Sequence, residues 1–213
     1  KEGQYLYNLA KQCSGQGTIV EVGSWKGKST IWLGWGSKNG NKIPIYAIDP
    51  HTGSPEHYLW YGSSIQTFND FKENIDKADL QDIIMPIVKT SEEAAKNFDK
   101  LVELIFIDGN HEYKFVELDF NLWFSKLIDG GTIVFHDTTG WAPWRGPFLV
   151  VAKYVYNSPY FKNIKIVDSM TIAQKIKRNS LKDRARNLWM LLVAVWFAVL
   201  EIFIKRKLRK FIG

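Results

Sequence analysis

The chain has 213 residues, room for one α/β domain with a full core and little more. Hydrophobic residues make up 46% and charged residues 23%, a globular balance that excludes wholesale disorder. The single cysteine, Cys13, excludes a disulfide framework and a Cys-based zinc site, and it fits a reducing compartment. The net charge of +6 is unevenly placed: residues 175–213 hold eleven Lys/Arg against Asp183 and Glu201, so the rest of the chain is mildly acidic. That pattern does not suit a nucleic-acid-binding domain, whose basic face lies on the fold itself.

Thr18–Val22 (TIVEV) is a buried-strand run ending at Gly23, and helical spacing predicts a helix over 29–36. Ile45–Ile48 (IYAI) is a second strand, closing on Asp49-Pro50. A helix over 64–78, a strand over 83–88 and a helix over 92–98 follow. The strand over 104–107 (LIFI) closes on Asp108-Gly109, a helix spans 113–128, and the strand over 132–135 (TIVF) closes on His136-Asp137. Stretches 164–168 and 170–176 have no helix between them and read as an antiparallel pair. Apolar strands alternating with helices imply an α/β fold: a doubly wound, mainly parallel seven-stranded sheet with an antiparallel C-terminal strand. No internal repeat is visible.

In such sheets ligands sit outside the carboxyl ends of the strands. Gly23, Asp49, Asp108, His111, His136 and Asp137 all fall at or just past predicted strand ends. The first turn reads EVGSWKGKST. Only three residues separate Gly23 from Gly27, one too few for a P-loop. Trp25 stands where a dinucleotide fingerprint needs its second glycine. What remains is E-x-G-x-x-x-G at a strand–helix turn, suited to a cofactor with a nucleoside and an amino-acid part but no diphosphate. Asp49, 22 residues after Gly27, can accept both ribose hydroxyls, or it can be a turn residue before Pro50.

The stretches EVGSWKGKST, Ile48-Asp49-Pro50, IDGNHEY (107–113) and GGTIVFHDT (130–138) resemble class I S-adenosylmethionine-dependent methyltransferases. Within these the chain is most similar to small-molecule O-methyltransferases, a group that includes metal-dependent enzymes acting on sugars. The resemblance covers roughly residues 3–175 and implies a Rossmann-like domain over 1–178. It places Glu21, Gly23, Ser24 and Gly27 along the methionine and ribose part of the cofactor, with Asp108 beside them. It places Asp49 on the ribose hydroxyls and Ser91 at the adenine.

Asp108 and His111 follow the fourth strand; His136 and Asp137 end the fifth. Neighbouring strands lie about 4.8 Å apart, so the four can converge beside the transferable methyl. Two carboxylates with an imidazole suit Mg²⁺ or another divalent cation. A hydroxyl acceptor needs such help, or a base, because it is a poor nucleophile at neutral pH. Asp108, His136 and Asp137 are the expected metal set, and His111 the expected base, with Asp108 beside it in catalysis. The sugar-methylating relatives carry two acidic residues where this chain has His136-Asp137. Tyr113 and Asp119 read as helix packing and solvent contacts. WAPWRGP (141–147) and HTGSPEHYLWY (51–61) are candidate substrate platforms or lids, or hydrophobic loops packed on the core.

Residues 188–200 (LWMLLVAVWFAVL) form an apolar run that, taken to 204, spans 17 residues. As a helix that is roughly 26 Å, short of the ~20 residues a span needs. Basic clusters flank both sides, which suits a helix lying in an anionic leaflet. The expectation for 179–213 is thus a membrane-associating helix over 188–204, apolar all round and held at a cytoplasmic membrane face. A dimerisation helix, making a homo-oligomer, or a truncated anchor are the alternatives. Overall the sequence implies an O-methyltransferase acting on a sugar or another small or lipid-linked acceptor, and no nucleic acid. A catalytically silent module recruited by its C-terminal helix is the competing reading.

Overall fold

The computed structural model describes residues 1–54, 57–58, 65–139 and 146–212, with backbone alone at 197, 198 and 201–212. In chain order the elements are α1 (Glu2–Gln12), β1 (Thr18–Val22), α2 (Lys28–Lys38), β2 (Ile45–Ile48), α3 (Phe68–Lys77), β3 (Ile84–Ile87) and α4 (Ser91–Lys96). Then come β4 (Val102–Ile107), α5 (Tyr113–Phe124), β5 (Leu127–Phe135), α6 (Gly146–Val151) running into a π-helical turn (Ala152–Tyr156), β6 (Phe161–Val167), β7 (Met170–Lys175) and α7 (Leu181–Ile212).

The sheet has the order β3-β2-β1-β4-β5-β7-β6, five parallel strands closed by an antiparallel pair. Successive strand residues point to opposite faces, and this splits the core into two layers. Ile19, Leu104, Phe106 and Val134 pack with Leu6 of α1, Leu33 of α2 and Phe71 of α3. Val20, Ile105, Ile107, Ile133 and Phe135 pack with Val116, Phe120 and Trp123 of α5 and Val150 of α6. Both faces being covered explains why the middles of the central strands are apolar, as in Ile19-Val20, Leu104-Ile105-Phe106 and Ile133-Val134.

Three elements differ from expectation. α1 has a weak apolar face of Leu6 and Ala10, yet it lies backbone-to-backbone on α2: a Cβ at Gly36 would sit 2.2 Å from the Tyr7 carbonyl oxygen. The fourth expected helix stops at Phe124 rather than 128, because Leu127 already pairs with Val102 and β5 continues through the glycine pair. α6 and its π-helical turn follow β5 where no helix was expected.

α7 is capped by Ser180 and Asp183. The Asp183 amide donates to Ser180 Oγ at 3.1 Å, and the Ser180 hydroxyl donates back to the carboxylate at 2.7 Å. Its first turns dock on the domain. The buried Asn187 donates to the Phe161 carbonyl at 2.9 Å, and Met190 and Leu191 pack on the core. The helix is therefore not alike all round. Leu188, Trp189, Leu192, Val195, Trp196 and Val199 form a stripe that is 40 to 66% exposed. Among the described residues no helix is long and apolar enough to cross a membrane.

Candidate active site

The carboxyl ends of β1, β2, β4 and β5 bring the candidate residues together. Gly23 has φ +90° and passes so close to β4 that a Cβ there would lie 2.2 Å from the Asp108 carbonyl oxygen. Its amide donates to the Ile48 carbonyl at 2.8 Å, so one residue ties three strand ends. Gly27, at φ +88°, opens α2. Glu21, fully buried beneath the turn, accepts from the Thr30 hydroxyl. Burial pushes its carboxyl up to about 8 despite the bonds from Ser29 and Thr30. Ser24 is buried, and its hydroxyl makes no hydrogen bond within the structure.

Asp49 joins two loops. One carboxylate oxygen accepts the Trp25 amide at 2.8 Å and the other the His51 amide at 2.6 Å. Each oxygen keeps a lone pair for a ligand. Trp25 stacks on His57 with centroids 3.9 Å apart.

Two cavities open here. One, of about 320 Å³, runs past Asp49, Ser91, Gly109, Phe115, Leu118 and Asp119. The other, of about 550 Å³, lies against Glu2, Lys28, Trp32, His111, His136 and Met170. They share Gly23, Trp25, His57, Asp108 and Gly109, so a group held in the first meets one held in the second beside Asp108.

Asp108, His111, His136 and Asp137 do converge. His136 Nδ1 lies 2.9 Å from the Asp108 carboxylate and 3.5 Å from that of Asp137. His111 Nε2 lies 3.6 and 3.7 Å from the same two carboxylates. On its far side His136 Nε2 is 3.3 Å from Glu2, which also accepts from the Ser169 amide and hydroxyl. Burial alone would depress the His136 ring, but the Asp108, Asp137 and Glu2 carboxylates push it up to about 9. Burial would raise Asp108, yet the two histidines outweigh it and hold the carboxyl below its usual range.

The expected metal set is not shown. His136 Nδ1, one of its expected donors, lies 2.9 Å from the Asp108 carboxylate. Among the described residues no group of three or more His, Cys, Asp or Glu side chains is arranged to hold a metal ion. Asp108, His136 and Asp137 lie together as a close cluster at this edge.

Ser91 lines the first cavity as expected, but its hydroxyl is engaged. It accepts from Trp123 Nε1 at 2.9 Å and bonds in turn to the Asp119 carboxyl. Asp119, read as helix packing, is a buried acid on the cavity wall. Glu2 and Asp119 are the residues the sequence concealed. Nothing in the sequence ties Glu2 to a partner at position 136, while Asp119's apolar neighbours Val116, Phe120 and Trp123 mark it as a core position. Residues 141–145 of one candidate platform and residues 55, 56 and 59–61 of the other lie outside the described residues.

A glycine turn at the end of β1, an acid at the end of β2 and two cavities meet at one edge of the sheet. Residues 20–138 match the methyltransferase-domain family, and the chain belongs to it. Protein R132 of Acanthamoeba polyphaga mimivirus, itself uncharacterised, is 29% identical over 130 residues, 59% of this chain. The match spans about half (54%) of that relative's length. Among solved structures the fold is similar to the O-methyltransferase NovP (TM-score 0.66, 13% identity, 83% of this chain and 80% of that one). It is also similar to a Bacillus cereus O-methyltransferase in complex with S-adenosylhomocysteine (0.57, 16%, 82% and 80%). TomG of Streptomyces achromogenes, in complex with S-adenosylmethionine, aligns at 0.56 with 16% identity over 82% and 79%. At these identities the similarity is one of fold.

Proposed function

We propose that the chain methylates a hydroxyl oxygen of a sugar or another small or lipid-linked acceptor. The observation that carries this is the meeting of the two cavities at Asp108, with His111 lining only the acceptor side. Bound in the first cavity, the cofactor supplies an electrophilic methyl on its sulfonium. Asp49 holds the ribose, and Gly23 leaves the backbone open for the cofactor's amino-acid part. His111 takes the acceptor proton at Nε2 as the oxygen bonds to the methyl carbon and the carbon–sulfur pair returns to sulfur. The Asp108 and Asp137 carboxylates, 3.6 and 3.7 Å from that nitrogen, stabilise the imidazolium that forms. His136 keeps Asp108 ionised for this role. Trp25 and Trp32 give the acceptor cavity flat apolar faces, which suit sugar rings.

The same reading places the chain on a membrane surface through α7. The exposed stripe and the basic residues on either side of it fit an anionic leaflet, with the helix lying in the interface rather than crossing it. A silent binding module is disfavoured by the intact constellation from Glu21 to Asp137.

The test is transfer of a labelled methyl group to a panel of glycosides and lipid-linked sugars. His111→Ala should lower turnover by roughly 10²–10⁴ with S-adenosylhomocysteine affinity nearly unchanged. Label found on nitrogen or carbon, or full activity in the variant, would overturn the assignment.

A further inference from the structure

Glu2 has no part in the chemistry assigned so far, yet it reaches the transfer edge from outside the βα units. Its Oε1 accepts from both the amide and the hydroxyl of Ser169, at 2.9 and 2.8 Å. Its Oε2 lies 3.3 Å from His136 Nε2. One side chain thus joins α1, the β6–β7 turn and the end of β5. Anchoring the turn needs only the first oxygen. The second turns a third carboxylate toward a ring that already lies 2.9 and 3.5 Å from Asp108 and Asp137.

The helix that carries Glu2 is closely seated. A Cβ at Gly3 would sit 2.3 Å from Trp32 Nε1, and one at Gly36 would sit 2.2 Å from the Tyr7 carbonyl oxygen, so α1 meets α2 at two close approaches. Leu6 and Ala10 are buried on the same helix. Glu2 therefore comes to His136 from a packed helix rather than from a loop. An imidazole has two distinct nitrogens, so holding one aims the other. A carboxylate accepts, so Glu2 takes the Nε2 proton, and Nδ1 is left facing Asp108 Oδ1 at 2.9 Å. That same oxygen lies 3.6 Å from His111 Nε2. We propose that Glu2 is a positioning residue for methyl transfer: it holds the His136 ring against Asp108, which in turn keeps its place beside His111. This rests on His111 being the base of the transfer. It extends by one link the arrangement in which a base is oriented through a neighbouring group.

The chain has four histidines, so ¹⁵N spectra of the full chain labelled at histidine read the His136 ring directly, with His136→Gln to assign it. Wild type should show a hydrogen-bonded Nε2 proton on His136. Glu2→Ala should lose that signal, while S-adenosylhomocysteine binds within about threefold of wild type by calorimetry. With the glycoside that takes up label, kcat should fall about ten- to a hundredfold, and KM for S-adenosylmethionine should hold. Ser169→Ala loosens the same turn but leaves the ring contact. It should lower Tm yet keep both the Nε2 signal and kcat. A merely structural Glu2 would make the two variants alike, each less stable and neither short of the ring proton or of turnover. No bonded Nε2 proton in wild type, an unchanged signal in Glu2→Ala, or a lost signal with wild-type kcat would overturn the proposal. Wild type that fails to bind S-adenosylhomocysteine, or that labels no glycoside, would overturn the transferase reading instead, and the ring spectra would still decide what Glu2 holds.

Discussion

Asp49→Ala should injure both binding and folding, and the two losses can be separated. In the apo protein the carboxylate satisfies the Trp25 and His51 amides at 2.8 and 2.6 Å. Removing it strands two largely buried donors, each worth about 1–3 kcal/mol when left unmade, with water free to relieve part of that. A net loss of about 2–4 kcal/mol lowers Tm by roughly 5–15 °C in a chain of this size. The ribose contact is a further charge-assisted pair of bonds worth about 1–3 kcal/mol, or an S-adenosylhomocysteine complex weaker by about five- to 150-fold. Scanning calorimetry of the apo protein reads the first term. Titration at a temperature where the variant is fully folded reads the second. If Tm falls while affinity stays within about threefold, Asp49 is a loop strut and the ribose assignment is wrong.

The His136 ring rises from 6.5 to about 9 on folding, so its contribution is complete below pH ~6.5 and lost as pH climbs through about 9. Glu21, raised to about 8, acts in the same direction, since the folded state resists losing its proton. Apo Tm should therefore fall from pH 6 to pH 9.5, and His136→Gln should flatten that slope; a slope unchanged in the variant would refute the cationic assignment. If His111 alone takes the acceptor proton, excess EDTA should leave turnover intact. Loss of activity that Mn²⁺ restores would contradict this. On α7, the double substitution Trp189→Glu and Trp196→Glu should abolish sedimentation with anionic liposomes at high salt, since apolar burial dominates over about 1 kcal/mol per basic residue. A wild-type dimer that ignores liposomes would make the stripe a subunit contact.

The strands were legible because their whole length is buried: Ile19, Val20, Ile105 and Phe106 announce themselves as apolar without a period to decipher. The catalytic edge was legible for a related reason, since strand ends followed at once by Gly23, Asp49, Asp108 and His136 put rare polar residues where a sheet opens. What stayed hidden was direction and distance. The sequence places Asp137 beside His136 but cannot say that the imidazole turns to Asp108 on one side and Glu2 on the other. Asp119 shares its helix with residues of the core, and only the fold reveals that this face ends in a cavity. The tail was apolar enough to suggest one uniform surface. Docking at Asn187, Met190 and Leu191 divides it into an inner and an outer side.

The two cavities are built from different stock. The first is walled by strand ends, loops and helices of the βα units that make the sheet. The second takes part of its wall from α1 and from the β6–β7 turn, through Glu2, Asp168 and Met170. Neither of those elements lines the first cavity. Replacing α1 or reshaping that turn would alter which molecule receives the methyl group while the donor's seat kept its form. On the proposed assignment of the two cavities, acceptor choice would be detachable from the methyl-donating half, and a descendant could change its substrate by remodelling one terminal helix.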